Sequence, residues 1–341
     1  MQMRAVRYHG PGKPLRLETV PVRPLTAGDA LIRVKAAGVC YTDTHFLSGV
    51  LDLGIHPLIL GHEVAGEVVE LGKNGGGIAI GDRVLIYYYA TCGHCHWCRT
   101  DRANLCSQVV AEYGFTADGG YAEYVVVPAA NLVRIPAGLD LKDAATLGCS
   151  VTTAIHAART IGDLRLGETA VVYGAGGVGF GLVQLCKLAG ARVIAVSRSA
   201  GKRSKAAELG ADFVVDGKGD VAKEIRALTG GEGADVVFEL VATTATMTHS
   251  VNALRRRGRL VLIGYSEDSL VAHPLQLVIG ELTITASVGN TYDELLLAVD
   301  LAAAGKIKAV VGRTISLDQL PSTLEALERG EIVGRAVVAF E

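Results

Sequence analysis

The chain has 341 residues, half of them apolar and a fifth charged, with 33 basic against 35 acidic side chains for a net charge of −2. That length suits two domains better than one, and the balance is that of a globular protein. It excludes the basic footprint of a nucleic-acid binder, and no stretch is long and apolar enough to span a bilayer. The opening MQMRAVRYHG lacks the apolar core of a secretory signal. A cytoplasmic location is therefore expected, with cysteines kept reduced. Seven cysteines, an odd number, also argue against full disulfide pairing.

Short alternating apolar runs separated by Gly and Pro fill the first part of the chain. Residues 3–8, 15–20, 30–37, 64–71, 83–87 and 121–127 read as strands, with a turn-rich connection at 73–80. Many short strands of this kind suggest a barrel-like β domain. Within it, Cys92, Cys95, Cys98 and Cys106 follow the spacing C-x2-C-x2-C-x7-C. Four clustered thiolates close a tetrahedral zinc site and leave no open position. His94 and His96 interleave but are surplus to that tetrahedron, and are expected to be exposed. Cys40 and Cys149 are isolated, with His62 between them. Singly, each has an ordinary explanation: a core thiol, a buried histidine, a small residue at a helix start. A dispersed Cys/His set assembled by folding can also leave zinc one position for substrate.

From about Cys149 the pattern changes to helices alternating with β runs at 170–173, 193–197, 213–215, 235–240, 259–263 and 282–287. Six such strands make a doubly wound parallel sheet, an α/β fold. Cys186 sits at helical spacing in GLVQLCKLAG and reads as a core thiol. The run Arg255-Arg256-Arg257 reads as a helix end before Gly258. Helix-like stretches at 293–304 and 317–328 and a strand at 335–340 exceed the six-strand count, so the C-terminus should pack back onto the first domain.

The segment VVYGAGGVGFG carries Gly174-x-Gly176-x-x-Gly179 between a β run and an amphipathic helix pattern. In that context the glycines form a pyrophosphate cradle at a helix N-terminus, with Gly177 and Val178 inside the turn. The end of the next strand reads VIAVSRSAGKR. An NAD site usually has Asp or Glu there for the adenosine ribose, whereas an NADP site avoids that charge and offers a cation. Ser197 holds the acidic position, with Arg198 and Lys202 following. The expectation is NADP(H), favoured over NAD(H).

These features resemble the zinc-dependent medium-chain dehydrogenase/reductase family, the alcohol dehydrogenases, essentially from end to end. The resemblance includes GHEVAGEVVELG at 61–72, GDRV at 81–84, the four-cysteine lobe, GCSVTTA at 148–154, GAGGVG at 174–179 and Gly334-Arg335. It implies a GroES-like β-barrel catalytic domain at 1–150 with a structural zinc lobe at 92–106. A Rossmann NADP-binding domain at 151–286 follows, and 287–341 completes the catalytic domain. By the same resemblance, Cys40, His62 and Cys149 hold a catalytic zinc, so that each chain binds two zinc ions. Glu63 is the neighbouring carboxylate able to enter the coordination sphere, and Asp43 the carboxylate that orients His62. Thr42 takes the alcohol proton and His45 ends the relay. Thr153 contacts the nicotinamide, Arg335 the pyrophosphate, and Tyr88 walls the substrate pocket beside further aromatic candidates Tyr87, Tyr89, Tyr113 and Phe115. Tyr41 departs from the family, standing where many members carry Arg or His against the coenzyme phosphate.

The implied activity interconverts an alcohol with an aldehyde or ketone, and an NADP preference points to carbonyl reduction. Two other readings stay open: an NADPH-dependent enoyl-CoA or quinone-type C=C reductase on the same fold, and a non-catalytic zinc- and nucleotide-binding relative. The resemblance also implies a homodimer or homotetramer, commonly joined through the sheet edge near 282–287.

Overall fold

The computed structural model describes residues 1–341. The chain divides into two compact units, Met1–Cys149 with Thr291–Glu341, and Ser150–Asn290. The second boundary thus falls four residues later than the one expected after residue 286.

The first unit is built on Asp29–Val39, an eleven-residue strand buried on nearly every position. It pairs antiparallel with Glu63–Leu71, with Tyr124–Pro128 and with the C-terminal strand Arg335–Ala339. Arg335–Ala339 runs parallel to Val311–Ile315 on its other side. The C-terminal segment therefore enters the same seven-stranded sheet as the first domain. A second sheet of three strands is centred on Gln2–Tyr8. Two short pieces invisible to alternation, Tyr89–Ala90 and Ala111–Glu112, pair at the base of the cysteine lobe. Two-residue strands are too short to show any periodicity.

The second unit is a six-stranded parallel sheet. Its order runs Phe213–Asp216, Arg192–Ser197, Thr169–Tyr173, Ala234–Glu239, Leu254–Leu262, Thr283–Ala286. Val171, Ile194, Val237 and Leu260 are fully buried between the covering helices, as strands covered on both faces must be. Strand order reverses beside Thr169–Tyr173, the topological switch point where such sheets bind ligands. The expected helix end at Arg255–Arg257 is corrected. The helix Thr244–Ala253 stops before them, and the three arginines lie in the extended segment Leu254–Leu262. That segment shifts register against Ala234–Glu239, and Arg257 takes φ +60°. A bulge, rather than a helix cap, accommodates the charges.

Candidate active site

Cys40 lies at the end of Asp29–Val39 and starts the helix Tyr41–Ser48. His62 immediately precedes Glu63–Leu71. Cys149 sits in a π-helical turn, Leu147–Val151, a local widening frequent at functional sites. These three elements bring one ligand atom each from Cys40, His62, Glu63 and Cys149 within 4.8 Å of one another, all four residues buried. Two thiols, an imidazole and a carboxylate in a dry pocket are a donor set suited to zinc. Two buried polar atoms there, His62 Nδ1 and Glu63 Oε2, have no hydrogen-bond partner. The residues therefore fit the ion.

Charges in this pocket act strongly on one another. The bond from Cys149, with help from Arg335 and His62, outweighs burial and holds the Cys40 thiol well below its usual range. The same bond, with burial, pushes Cys149 up. Burial raises Glu63 to about 7 against the pull of Arg335, and raises Asp43 to about 6. Burial alone would lower His62, but Cys40, Asp43 and Glu63 carry it up to about 9.

Two residues make contacts here beyond the roles expected of them. Arg335 was expected on a coenzyme pyrophosphate. Its guanidinium lies in the ligand cluster, 3.0 Å from Glu63 Oε1 through Nε, 3.5 Å from Cys40 Sγ and 3.8 Å from Cys149 Sγ. A buried carboxylate beside two thiols supplies the attraction for that cation. Asp43, expected to orient His62, turns back to the start of its own helix. Its Oδ2 accepts the Cys40 N–H at 3.0 Å and the Tyr121 hydroxyl at 2.6 Å.

Thr42 Oγ1 lies 3.6 Å from Cys40 Sγ. His45 follows on the same helix, its ring edge-on to Tyr41 at 5.3 Å, and partial burial lowers its pKa. Of the aromatic candidates, Phe115 and Tyr88 face the His62 ring at 4.7 and 5.4 Å and stack on each other. Tyr87 packs instead against Tyr292, and Tyr113 is buried with its N–H on the Tyr88 carbonyl. Tyr121 escaped the sequence reading. Nothing in GGYAEY sets its ring apart from any other buried strand-flanking tyrosine.

In the lobe, the Sγ atoms of Cys92, Cys95, Cys98 and Cys106 are 3.5 to 3.9 Å apart across four pairs. A tetrahedron of zinc–sulfur bonds near 2.3 Å has edges of about 3.8 Å, so these thiols also fit zinc. His94 and His96 are exposed, and His94 is engaged by the Cys92 carbonyl and Gln108.

In the second unit, Gly174 takes φ +115° at the end of Thr169–Tyr173, and a side chain on Gly179 would strike the Gly174 carbonyl. Gly176 starts the helix Gly177–Leu188 with no side-chain cap, and a Cβ there would meet no atom. Uncapped N–H groups facing open space fit a pyrophosphate. Val178 lies in the first turn of that helix. Thr153 is buried in the helical turn Thr152–Ile155. Ser197 closes Arg192–Ser197, and no carboxylate pairs with Arg198 or Lys202. Burial and the Arg198 charge lower the Lys202 pKa. Arg203, by contrast, is committed to the Ser197 carbonyl at 2.7 Å and to Asp216 at 3.1 Å.

Residues 26–137 match the alcohol dehydrogenase GroES-like domain, and residues 177–304 match the zinc-binding dehydrogenase domain. The chain is 34% identical to an NAD-dependent alcohol dehydrogenase of Sulfurisphaera tokodaii, covering 98% of this chain and 99% of that one. It superposes on the alcohol dehydrogenase of Aeropyrum pernix with a TM-score of 0.94 at 33% identity, covering 99% and 100% of the two chains. A Sinorhizobium meliloti protein bound to NADP gives a TM-score of 0.92 at 32% identity with full coverage of both chains. The dispersed Cys/His set, the cysteine lobe, the two-unit fold and these likenesses agree, and the chain is an enzyme of the zinc-dependent medium-chain alcohol dehydrogenase family.

Proposed function

We propose that the protein interconverts an alcohol and its aldehyde or ketone with NADP(H), working chiefly as a carbonyl reductase. The observation that carries this is the buried convergence of Cys40, His62, Glu63 and Cys149. When bound, zinc supplies a Lewis acid for the substrate oxygen. A bound nicotinamide coenzyme supplies or accepts the hydride. The chain's own residues bind, orient and move protons. Cys40, His62 and Cys149 hold the metal. Tyr88 and Phe115 wall the His62 side against water. Thr42 lies beside Cys40, where its hydroxyl can hold the proton of a substrate hydroxyl. His45 lies one turn further along the helix. Burial keeps it neutral near pH 7 and ready to take that proton.

Ser197, with Arg198 and Lys202 near one another, supports NADP(H). A ribose 2′-phosphate would relieve the repulsion between those two cations. Family membership leaves this point open, since the Sulfurisphaera tokodaii relative is named NAD-dependent and the Sinorhizobium meliloti protein holds NADP. A homo-oligomer would form through Thr283–Ala286. This edge strand has a single partner, and beside it the helix Pro274–Gly280 exposes Leu275, Val278 and Ile279.

The test is zinc content together with coenzyme oxidation on a panel of aldehydes, ketones and enoyl thioesters. Two zinc per chain and NADPH-dependent carbonyl reduction are expected. One zinc confined to the lobe, with turnover only of activated C=C bonds, would replace this reading. A higher kcat/KM with NADH would remove its coenzyme part.

A further inference from the structure

Tyr121 touches both segments that carry the first two metal-site residues. Its hydroxyl is 2.6 Å from Asp43 Oδ2 and 3.2 Å from the Gly38 carbonyl. A phenol has one proton, and the shorter contact, to the carboxylate, takes it. The same Asp43 oxygen accepts the Cys40 N–H at 3.0 Å. On the other side, the Tyr121 N–H donates to the Leu60 carbonyl at 3.1 Å, and its carbonyl accepts the Val6 N–H at 2.8 Å. The ring lies flush on Gly61, where a Cβ would come within 2.8 Å of Tyr121 Cδ1, and Gly61 takes φ +92°. Gly61 leads directly into His62.

We propose that Tyr121 is a positioning residue for the metal site: its hydroxyl clamps Asp43 onto the Cys40 backbone while its ring supports the Gly61 turn that carries His62. The proposal rests on the reading that Cys40, His62 and Cys149 hold zinc. The physical logic is that of partners behind metal ligands. A ligand free to reorient must be ordered when the metal arrives, so a group that orders it beforehand raises affinity. Asp43 is buried, and a buried carboxylate stays in place only while donors satisfy it. Here the donors are one backbone N–H and one phenol. Removing the phenol frees the carboxylate, and with it the start of the helix that carries Cys40, Thr42 and His45.

Tyr121→Phe keeps the ring on Gly61 and removes only the hydroxyl. In zinc competition against dipicolinate, followed by elemental analysis, this variant should hold the catalytic zinc about 10- to 100-fold less tightly. The lobe zinc should stay unchanged. Cobalt placed in the catalytic site of the variant should show a shifted visible absorption band. Because Tyr121 acts through Asp43, Asp43→Asn and Asp43→Asn/Tyr121→Phe should bind zinc alike. Loss of both zinc ions together with a lowered Tm would mark Tyr121 as a general packing residue and overturn the proposal. So would strictly additive effects in the double variant, or unchanged competition in a chain whose wild type holds two zinc. A wild type holding one zinc removes the metal reading and this proposal with it.

Discussion

Cys40 is restrained from two directions, by the bonds of its backbone and by the charges around its thiol. Its N–H is fixed by Asp43, and its thiol is held low by Cys149, Arg335 and His62. A thiolate is the form that binds zinc, so this position is prepared for the ion. His62→Gln should therefore reduce zinc from two per chain to one, leaving the lobe filled. Alcohol oxidation should fall by about a thousandfold, since several kcal/mol of Lewis-acid stabilisation disappear. Elemental analysis beside steady-state rates checks both. At the coenzyme end, Ser197→Asp puts a carboxylate where a 2′-phosphate would lie. The kcat/KM ratio of NADPH to NADH should drop by about tenfold or more; an unchanged ratio would show that Ser197 does not read the ribose. Ser197 was visible in the sequence because a local pattern, the strand end after the glycine turn, defines its position, whereas Cys40 was found only through the resemblance to a family. The Arg335 contact with Glu63 was not visible, since it joins residues 272 positions apart.

Among the elements, the strands of the coenzyme unit are tied at one end by Arg259. Its guanidinium reaches Glu168 at 2.6 and 2.9 Å and the Gly162 carbonyl at 2.7 Å. Glu168 lies just before Thr169–Tyr173, and Arg259 lies within Leu254–Leu262. Burial would raise the Glu168 pKa, but Arg259 and the Arg165 N–H lower it overall. A carboxylate lowered by folding stabilises the fold above its unfolded value, near 4.3, and that contribution is lost as pH falls through the folded value. Glu168→Gln should cost about 1–3 kcal/mol at pH 7. Its Tm deficit against wild type should shrink below about pH 4, and a deficit constant down to pH 3 would contradict this account. The alternating apolar runs located these strands because a buried sheet demands them. The bulge at Arg255–Arg257 was misread because a run of three arginines carries no periodicity, and the helix before it ends without a glycine cap.

For the whole molecule, the proposed homo-oligomer would form at the unpartnered edge Thr283–Ala286. Thr283–Ala286 bonds on one side only, and Val278 on the neighbouring helix is 74% exposed. An apolar edge of this kind is a liability in a lone chain and an asset in an oligomer. Val278→Glu should shift the species seen by light scattering from oligomer toward monomer, with zinc content unchanged. A wild type already monomeric at assay concentration would remove the oligomer from the proposal. The return of Arg335–Ala339 beside Asp29–Val39 also belongs to this scale. It is what delivers Arg335 to the ligand cluster.

The sequence by itself determined the two-part architecture, the thiol lobe and the glycine turn. Short-range spacing and periodicity specify each of these. It also supplied the metal-site residues through their resemblance to a family. Only the tertiary structure decided what those residues touch. Asp43 bonds to Cys40 and Tyr121, and Arg335 lies on Glu63 and two thiols. In a buried pocket every charge must find a partner, and which partner it finds depends on chain segments that meet only once the sheet is closed.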